Sequence, residues 1–139
     1  MNYLLDTCVI SEYTRRKPEE KVIRWVDSMA EDALFLSAIT IGEIKKGVER
    51  LETSHRKTEL QVWLNNGIIR RFGDRILPLD AQTMLVWGSL SARMGKAGQP
   101  MPVMDSLLVA TAMQNNLILA TRNVSDFLAC GVQVINPWE

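Results

Sequence analysis

One histidine and two cysteines among 139 residues leave little room for several common chemistries. No Ser/His/Asp arrangement is visible around His55, so triad-type nucleophilic catalysis is not indicated. Cys8 and Cys130 have no neighbouring Cys or His at metal-ligand spacing, which argues against zinc and for reduced thiols in a cytoplasmic protein. Net charge is missing as well: 16 basic residues balance 16 acidic ones. The molecule as a whole is therefore no electrostatic sponge for nucleic acid, and any such role needs a local basic patch. No apolar run approaches the ~20 residues that a bilayer crossing demands. The N-terminus lacks the basic region and longer apolar core of a targeting segment. A protein with no membrane association is expected. Internal repeats and low-complexity segments are absent.

The composition, 47% hydrophobic and 23% charged, is that of a chain able to bury a real core, and residues 1–139 are read as a single domain. Tyr3-Leu4-Leu5 is too short an apolar run for a helix and reads as a buried strand ending at Asp6-Thr7. Further strands are expected at Leu34 to Ser37, Ile76 to Leu79, Leu117 to Thr121 and Val132 to Ile135. Between them lie helical patterns: one starting at Lys17-Pro18-Glu19-Glu20, with Pro in its first turn, and carrying Val22, Ile23, Trp25, Val26 and Met29. A second carries Ile41, Ile44, Val48 and Leu51, and a third Leu60, Trp63, Leu64, Ile68 and Ile69, with Gly67 placed to loosen or end it. Asp80 is expected to cap a long helix through Met84, Leu85, Trp87, Leu90 and Met94. Gly95 to Pro102, with two Gly and two Pro, reads as a loop, and Ser106 to Asn116 as a helix buried on several sides. Strands alternating with helices predict an α/β fold, a mainly parallel central sheet with helices on both faces.

Four acids fall at related places in this pattern. Asp6 ends the first strand, Glu43 lies in the first turn of the helix after the second, Asp105 opens the buried helix and Asp126 follows the fourth strand. Ligands of open α/β sheets collect beyond the carboxyl ends of the strands. Carboxylates converging there repel one another unless a cation neutralises them, and a hard divalent ion, Mg²⁺ or Mn²⁺, is the natural partner. Such a site holds a phosphodiester and activates water. Each acid also has a plain structural reading. Asp6 or Thr7 fits a helix N-cap, Glu43 fits a capping box over Thr40-Ile41-Gly42-Glu43, and Asp105 after Pro102 and Asp126 beside Ser125 fit caps as well. The basic runs Arg15-Arg16-Lys17, Arg56-Lys57 and Arg70-Arg71 read as solvated faces. Lys45 and Lys46 are set apart because they lie within a turn of Glu43, in reach of phosphates. Trp25, Trp63 and Trp87 lie on apolar stripes and read as core or interface.

Leu4-Leu5-Asp6-Thr7 with Ser11-Glu12, Ile41-Gly42-Glu43-Ile44 with Gly47, Met104-Asp105-Ser106-Leu107-Leu108-Val109-Ala110 and Thr121-Arg122-Asn123-Val124-Ser125-Asp126-Phe127 resemble successive motifs of a PIN-domain ribonuclease. The resemblance covers nearly the whole chain. The TRNVSDF stretch and the closing Ile135-Asn136-Pro137-Trp138 resemble bacterial toxin subunits of the VapC and FitB type. The resemblance implies a PIN-like three-layer sandwich and a metal-dependent endoribonuclease whose substrate RNA includes transfer RNA as a candidate. It also implies a cognate antitoxin, in a homodimer or a toxin–antitoxin hetero-oligomer. By motif, Asp6 and Asp105 are metal ligands, Glu43 a ligand or water-orienting acid and Asp126 a further acid; Thr7, Lys45, Lys46 and Asn123 are candidate substrate contacts. The family commonly has Asn two residues after the first Asp, where this chain has Cys8. Two rivals remain: a non-catalytic binding module on the same fold, and an aspartate-nucleophile phosphatase, whose Asp-x-Asp pattern Cys8 interrupts.

Overall fold

The computed structural model describes Met1–Glu139. Its centre is a five-stranded, wholly parallel sheet in the order β3-β2-β1-β4-β5, formed by β1 (Tyr3–Leu5), β2 (Leu34–Ser37), β3 (Ile76–Leu77), β4 (Ile118–Ala120) and β5 (Val134–Ile135). β1 lies in the middle, with Tyr3 opposite both Leu34 and Ile118 and Leu5 opposite Ala120. A parallel strand flanked on both sides and covered on both faces has to be apolar throughout, and all three residues of β1 are buried.

Alternation along the strands divides the interior in two. Tyr3 and Leu5, Leu34 and Leu36, and Ala120 face one core, shared with Val22 and Val26 of α2 (Glu20–Ser28), Ile44 and Val48 of α3 (Ala38–Glu49) and Leu64, Ile68 and Phe72 further on. Leu4 and Leu119 face the other, shared with Leu90 and Met94 of α6 (Ala81–Lys96) and Leu108, Val109 and Ala112 of α7 (Val103–Gln114). Helices on both faces of the sheet make the expected three-layer α/β sandwich. Crossovers run on one side of β1 through β2 and β3, and on the other through β4 and β5. The direction of winding reverses between β1 and β4, which opens a crevice at their carboxyl ends.

Several boundaries differ from those the sequence predicts. A five-residue helix, α1 (Thr7–Ser11), follows β1 at once. α2 begins at Glu20, so Pro18 precedes the cap residue Glu19 and is not in the first turn. Helix α4 (His55–Val62), a π-helical stretch at Trp63–Ile68 and α5 (Ile69–Phe72) run end to end. Gly67 thus sits in a locally widened turn and does not stop the helix. β3 ends before Pro78, which has no N–H for the ladder. α6 extends to Lys96 and closes on Gly98, whose φ of 73° is open to glycine; the Gln99 N–H reaches back to the Met94 carbonyl at 2.9 Å, a Schellman ending. Asp80 caps α6 as expected, accepting from the Thr83 N–H and hydroxyl, each at 2.9 Å.

Candidate active site

Asp6 leaves β1 at the crevice, and its two carboxylate oxygens have different tasks. Oδ1 accepts the Thr7 N–H at 2.7 Å and so caps α1; Oδ2 accepts the Thr121 hydroxyl, from the end of β4, at 2.8 Å. The capping reading of Asp6 is therefore correct for one oxygen. An ionised carboxylate has about four lone-pair sites, so two remain for a ligand.

Glu43 lies on the second turn of α3, not the first, because the helix starts at Ala38. Its cap is Ser37, whose hydroxyl accepts the Ile39 N–H at 3.1 Å. The Thr40 capping box does not form; Thr40 is buried inside the helix. Glu43 instead reaches across to α1, accepting the Thr7 hydroxyl at 2.8 Å. Thr7 thus ties two acids together, giving its N–H to Asp6 and its O–H to Glu43.

Asp105 is the third residue of α7 and is not its cap; Pro102 holds that position without any side-chain bond. The first turn of a helix favours negative charge, yet the Asp105 carboxyl is pushed above its ordinary range. Burial is the main cause, followed by the charges of Asp6, Asp126 and Glu43. The three carboxylates add to the effect of burial, as acids that face one region do. Asp126 closes a 3₁₀ turn at Val124–Asp126 and is exposed. A cleft of about 380 Å³ opens beside Asp105 and Asp126, lined on its other side by Met94, Gln99, Pro100 and Met101.

None of the four acids takes part in any ion pair of the molecule. No three acidic, histidine or cysteine side chains stand close enough to form a closed cage around an ion. The charges of these acids are thus felt at Asp105 while their oxygens stay apart, as expected of uncompensated like charges. The donor set, all carboxylate oxygen without imidazole or thiolate, fits Mg²⁺ or Mn²⁺ and not zinc.

The remaining candidates occupy varied positions. Lys45 pairs with Glu49 at 2.8 Å, and residues two apart do not share a helix face, so it points away from Glu43. Lys46, three residues from Glu43, has no ion-pair partner and is exposed. The Asn123 N–H donates to the Thr121 hydroxyl oxygen at 3.0 Å, and its exposed side chain lies beside the acids' loop. Cys8 packs with its thiol 3.9 Å from the Thr121 hydroxyl. Burial and the nearby Asp6 push that thiol up to about 11, so it stays neutral and cannot replace the second acid of an Asp-x-Asp phosphatase. Thr121 was not foreseen as a site residue. Its role depends on β4 lying next to β1, which no local pattern reveals. The tryptophans are structural: Trp25 packs edge-on to Tyr3 with centroids 5.1 Å apart, and Trp87 donates to the Ser106 hydroxyl at 2.9 Å.

The molecule is a parallel α/β sandwich with an acidic crevice where its winding reverses. Over residues 3–128 the chain matches the PIN domain, and it belongs to that family. It is 38% identical over 136 residues to Toxin FitB of Neisseria gonorrhoeae, covering 98% of each chain. It is 34% identical over 136 residues to VapC ribonuclease Y4jK of Sinorhizobium fredii, covering 98% of this chain and 97% of that one. The crystal structure of FitAcB from Neisseria gonorrhoeae superposes with a TM-score of 0.93 at 37% identity, covering 99% of both chains.

Proposed function

We propose that this protein is a metal-dependent endoribonuclease, the toxin of a toxin–antitoxin pair, hydrolysing RNA phosphodiesters by attack of water. The observation that carries this reading is the group of four carboxylates without a cation, felt together at Asp105, beyond the ends of β1 and β4. The relatives named as a toxin and as a ribonuclease support it.

Asp6 and Asp105 would hold Mg²⁺ or Mn²⁺, with Glu43 and Asp126 completing the set. The ion supplies charge neutralisation at the phosphodiester and a more acidic water. Thr121 and Thr7 fix the free lone pairs of Asp6 in direction, and Thr7 holds one oxygen of Glu43 so that the other is left to orient water and accept its proton. Among the candidate substrate contacts Lys46 is preferred to Lys45, whose charge is already taken by Glu49. Asn123 offers an exposed amide beside the acids, whereas the Thr7 hydroxyl is spent on Glu43.

An antitoxin partner is part of the same proposal, supported by relatives solved as FitAB complexes. An Arg or Lys of that partner would enter the crevice toward Asp6, Glu43 and Asp105, because a guanidinium pairs with carboxylates as readily as a metal does. The test incubates pure protein with total RNA and with a phosphate monoester, each with and without Mg²⁺, and maps any cleaved ends. Mg²⁺-dependent cuts in RNA alone are expected. Ester hydrolysis would favour a phosphatase, and inertness toward both substrates a binding module.

A further inference from the structure

Next to the four acids stands a second charged assembly that the reading above leaves unused. Glu12, just beyond α1, is 2% exposed and accepts the Glu19 N–H at 2.9 Å and Arg15 at 3.1 Å. Arg122 reaches the same carboxylate less closely, at 3.6 Å. Burial pushes the Glu12 carboxyl up, but the Glu19 N–H and the arginines outweigh it and hold it below the usual range. One sequestered negative charge therefore faces two guanidinium groups, leaving a positive excess at this edge.

Arg122 is the more available of the two for a ligand at the site. It follows Thr121, whose hydroxyl holds Asp6, so its main chain leaves β4 at the rim of the crevice. Its guanidinium lies 4.5 Å over the Trp138 ring while 49% of the side chain remains in solvent. Stacking engages the flat face of a guanidinium and leaves its N–H edge for hydrogen bonds, the geometry suited to phosphate oxygens. Arg122 follows the residue that holds Asp6 yet pairs with Glu12 and with none of the four acids, which sets this cation beside the acids without reaching them. Arg71 and Arg75 are committed to Glu31, Arg56 to the Thr14 carbonyl and Arg93 to the Cys130 carbonyl.

We infer that Arg122, held flat by Trp138, binds a phosphodiester adjoining the one at the acids and so draws an RNA strand across a crevice that would otherwise repel it. The nature of the strand rests on the ribonuclease reading above. Glu12 and Arg15 are then positioning residues that preset Arg122.

The experiment measures binding of a labelled single-stranded RNA by fluorescence anisotropy at several salt concentrations with Mg²⁺ present. The full chain carries Asp105→Asn throughout so that nothing is cut. Five forms are compared: otherwise unchanged, Arg122→Ala, Arg122→Lys, Glu12→Gln, and Arg122→Ala with Glu12→Gln. Arg122→Ala alone disturbs the partners of a buried charge and could loosen the fold. In the Glu12→Gln background no buried charge remains, so a loss there reports the phosphate contact. The expected result of removing Arg122 with Glu12 in place is about tenfold weaker binding, with the slope of log K against log salt shallower by about 0.7; in the Glu12→Gln form, where Arg122 is no longer preset, the loss is smaller but the slope still becomes shallower. Arg122→Lys should recover part of the affinity, since charge is kept and stacking lost. An unchanged slope on removing Arg122 from the Glu12→Gln form would overturn the inference, and so would an absence of RNA binding in the unchanged form. If binding behaves as expected but the chain with Asp105 intact cuts no RNA, the rim contact stands and the ribonuclease reading falls.

Discussion

Carboxylates are treated in opposite ways at the two ends of this sheet. At the amino end, Glu31, just before β2, is clamped by Arg71 through two bonds of 2.9 and 2.8 Å and by Arg75 at 2.7 Å, both arginines lying over Phe72. At the carboxyl end, Asp6, Glu43, Asp105 and Asp126 form no ion pair. Glu31 is held down to about 2, chiefly by its bond to Arg71, while Asp105 is pushed up by burial and by its acidic neighbours. The molecule is not short of arginine, so the bare cluster is not a matter of supply. One edge uses its charges to hold the fold together, and the other leaves them uncompensated, at a cost in stability, where a ligand can enter.

The largest effect that would break this contrast is on activity. Asp105→Asn should lower RNA cleavage by at least about a hundredfold, yet its Tm in EDTA should equal or exceed that of the wild type. Glu31→Gln should cut at the wild-type rate. A cleavage time course and a thermal melt on each purified variant check both halves.

Metal linkage comes next in size. An ion bound only by the folded state adds about 2.7 kcal/mol at a hundredfold excess over its Kd. Mg²⁺ or Mn²⁺ should therefore raise the Tm of the wild type and of Glu31→Gln, and raise that of Asp6→Asn far less. Equal shifts in all three proteins would mean that the ions act nonspecifically. On the other edge, Glu31→Gln should cost about 0.5–1 kcal/mol in urea unfolding, a modest figure because the pair is half exposed and screened by solvent.

The smallest effect is on pH dependence, and its sign differs between the two edges. Glu31 titrates lower in the folded state than its unfolded value of about 4.3, so its stabilisation is full above that value and fades as pH falls toward about 2. Asp105 titrates higher when folded, so its ionisation costs stability, and this cost grows as pH rises from about 3.9, the unfolded value. In EDTA at neutral pH, Glu31→Gln should melt below the wild type and Asp105→Asn at or above it. Both gaps should close in acid. Melting curves from about pH 2 to about pH 7, which bracket the unfolded carboxylate values of about 4, would expose a wrong sign for either residue.

Much of this contrast is legible in the chain, and what is not has a physical cause. The short apolar run Tyr3–Leu5 ends in Asp6, because a parallel strand must be apolar up to the point where it leaves the sheet. Asp80 and the Gly95–Pro102 segment declare a cap and a turn through local chemistry alone. The capping box at Thr40 fails because β2 hands over to α3 at Ser37, three residues earlier, and where a strand stops pairing is decided non-locally. Thr121 and Glu12 look unremarkable in isolation, and acquire their roles only once β4 lies against β1 and α1 turns back along the crevice. The pairing of Glu31 with Arg71 and Arg75 spans 40 and 44 residues, beyond the reach of any periodicity. Lys45 and Lys46 both lie within a turn of Glu43 in sequence, but only the structure shows that Lys45 pairs with Glu49 while Lys46 has no ion-pair partner.

The central claim is that the uncompensated carboxylates form a cation site, and counting bound Mn²⁺ tests it most directly. Mn²⁺ is titrated into the wild type, Asp6→Asn and Glu31→Gln, and the free ion is read from its paramagnetic resonance signal. Saturable binding by the wild type and by Glu31→Gln, lost in Asp6→Asn, is the predicted result. Absence of binding by the wild type, or equal binding by all three, would contradict the account.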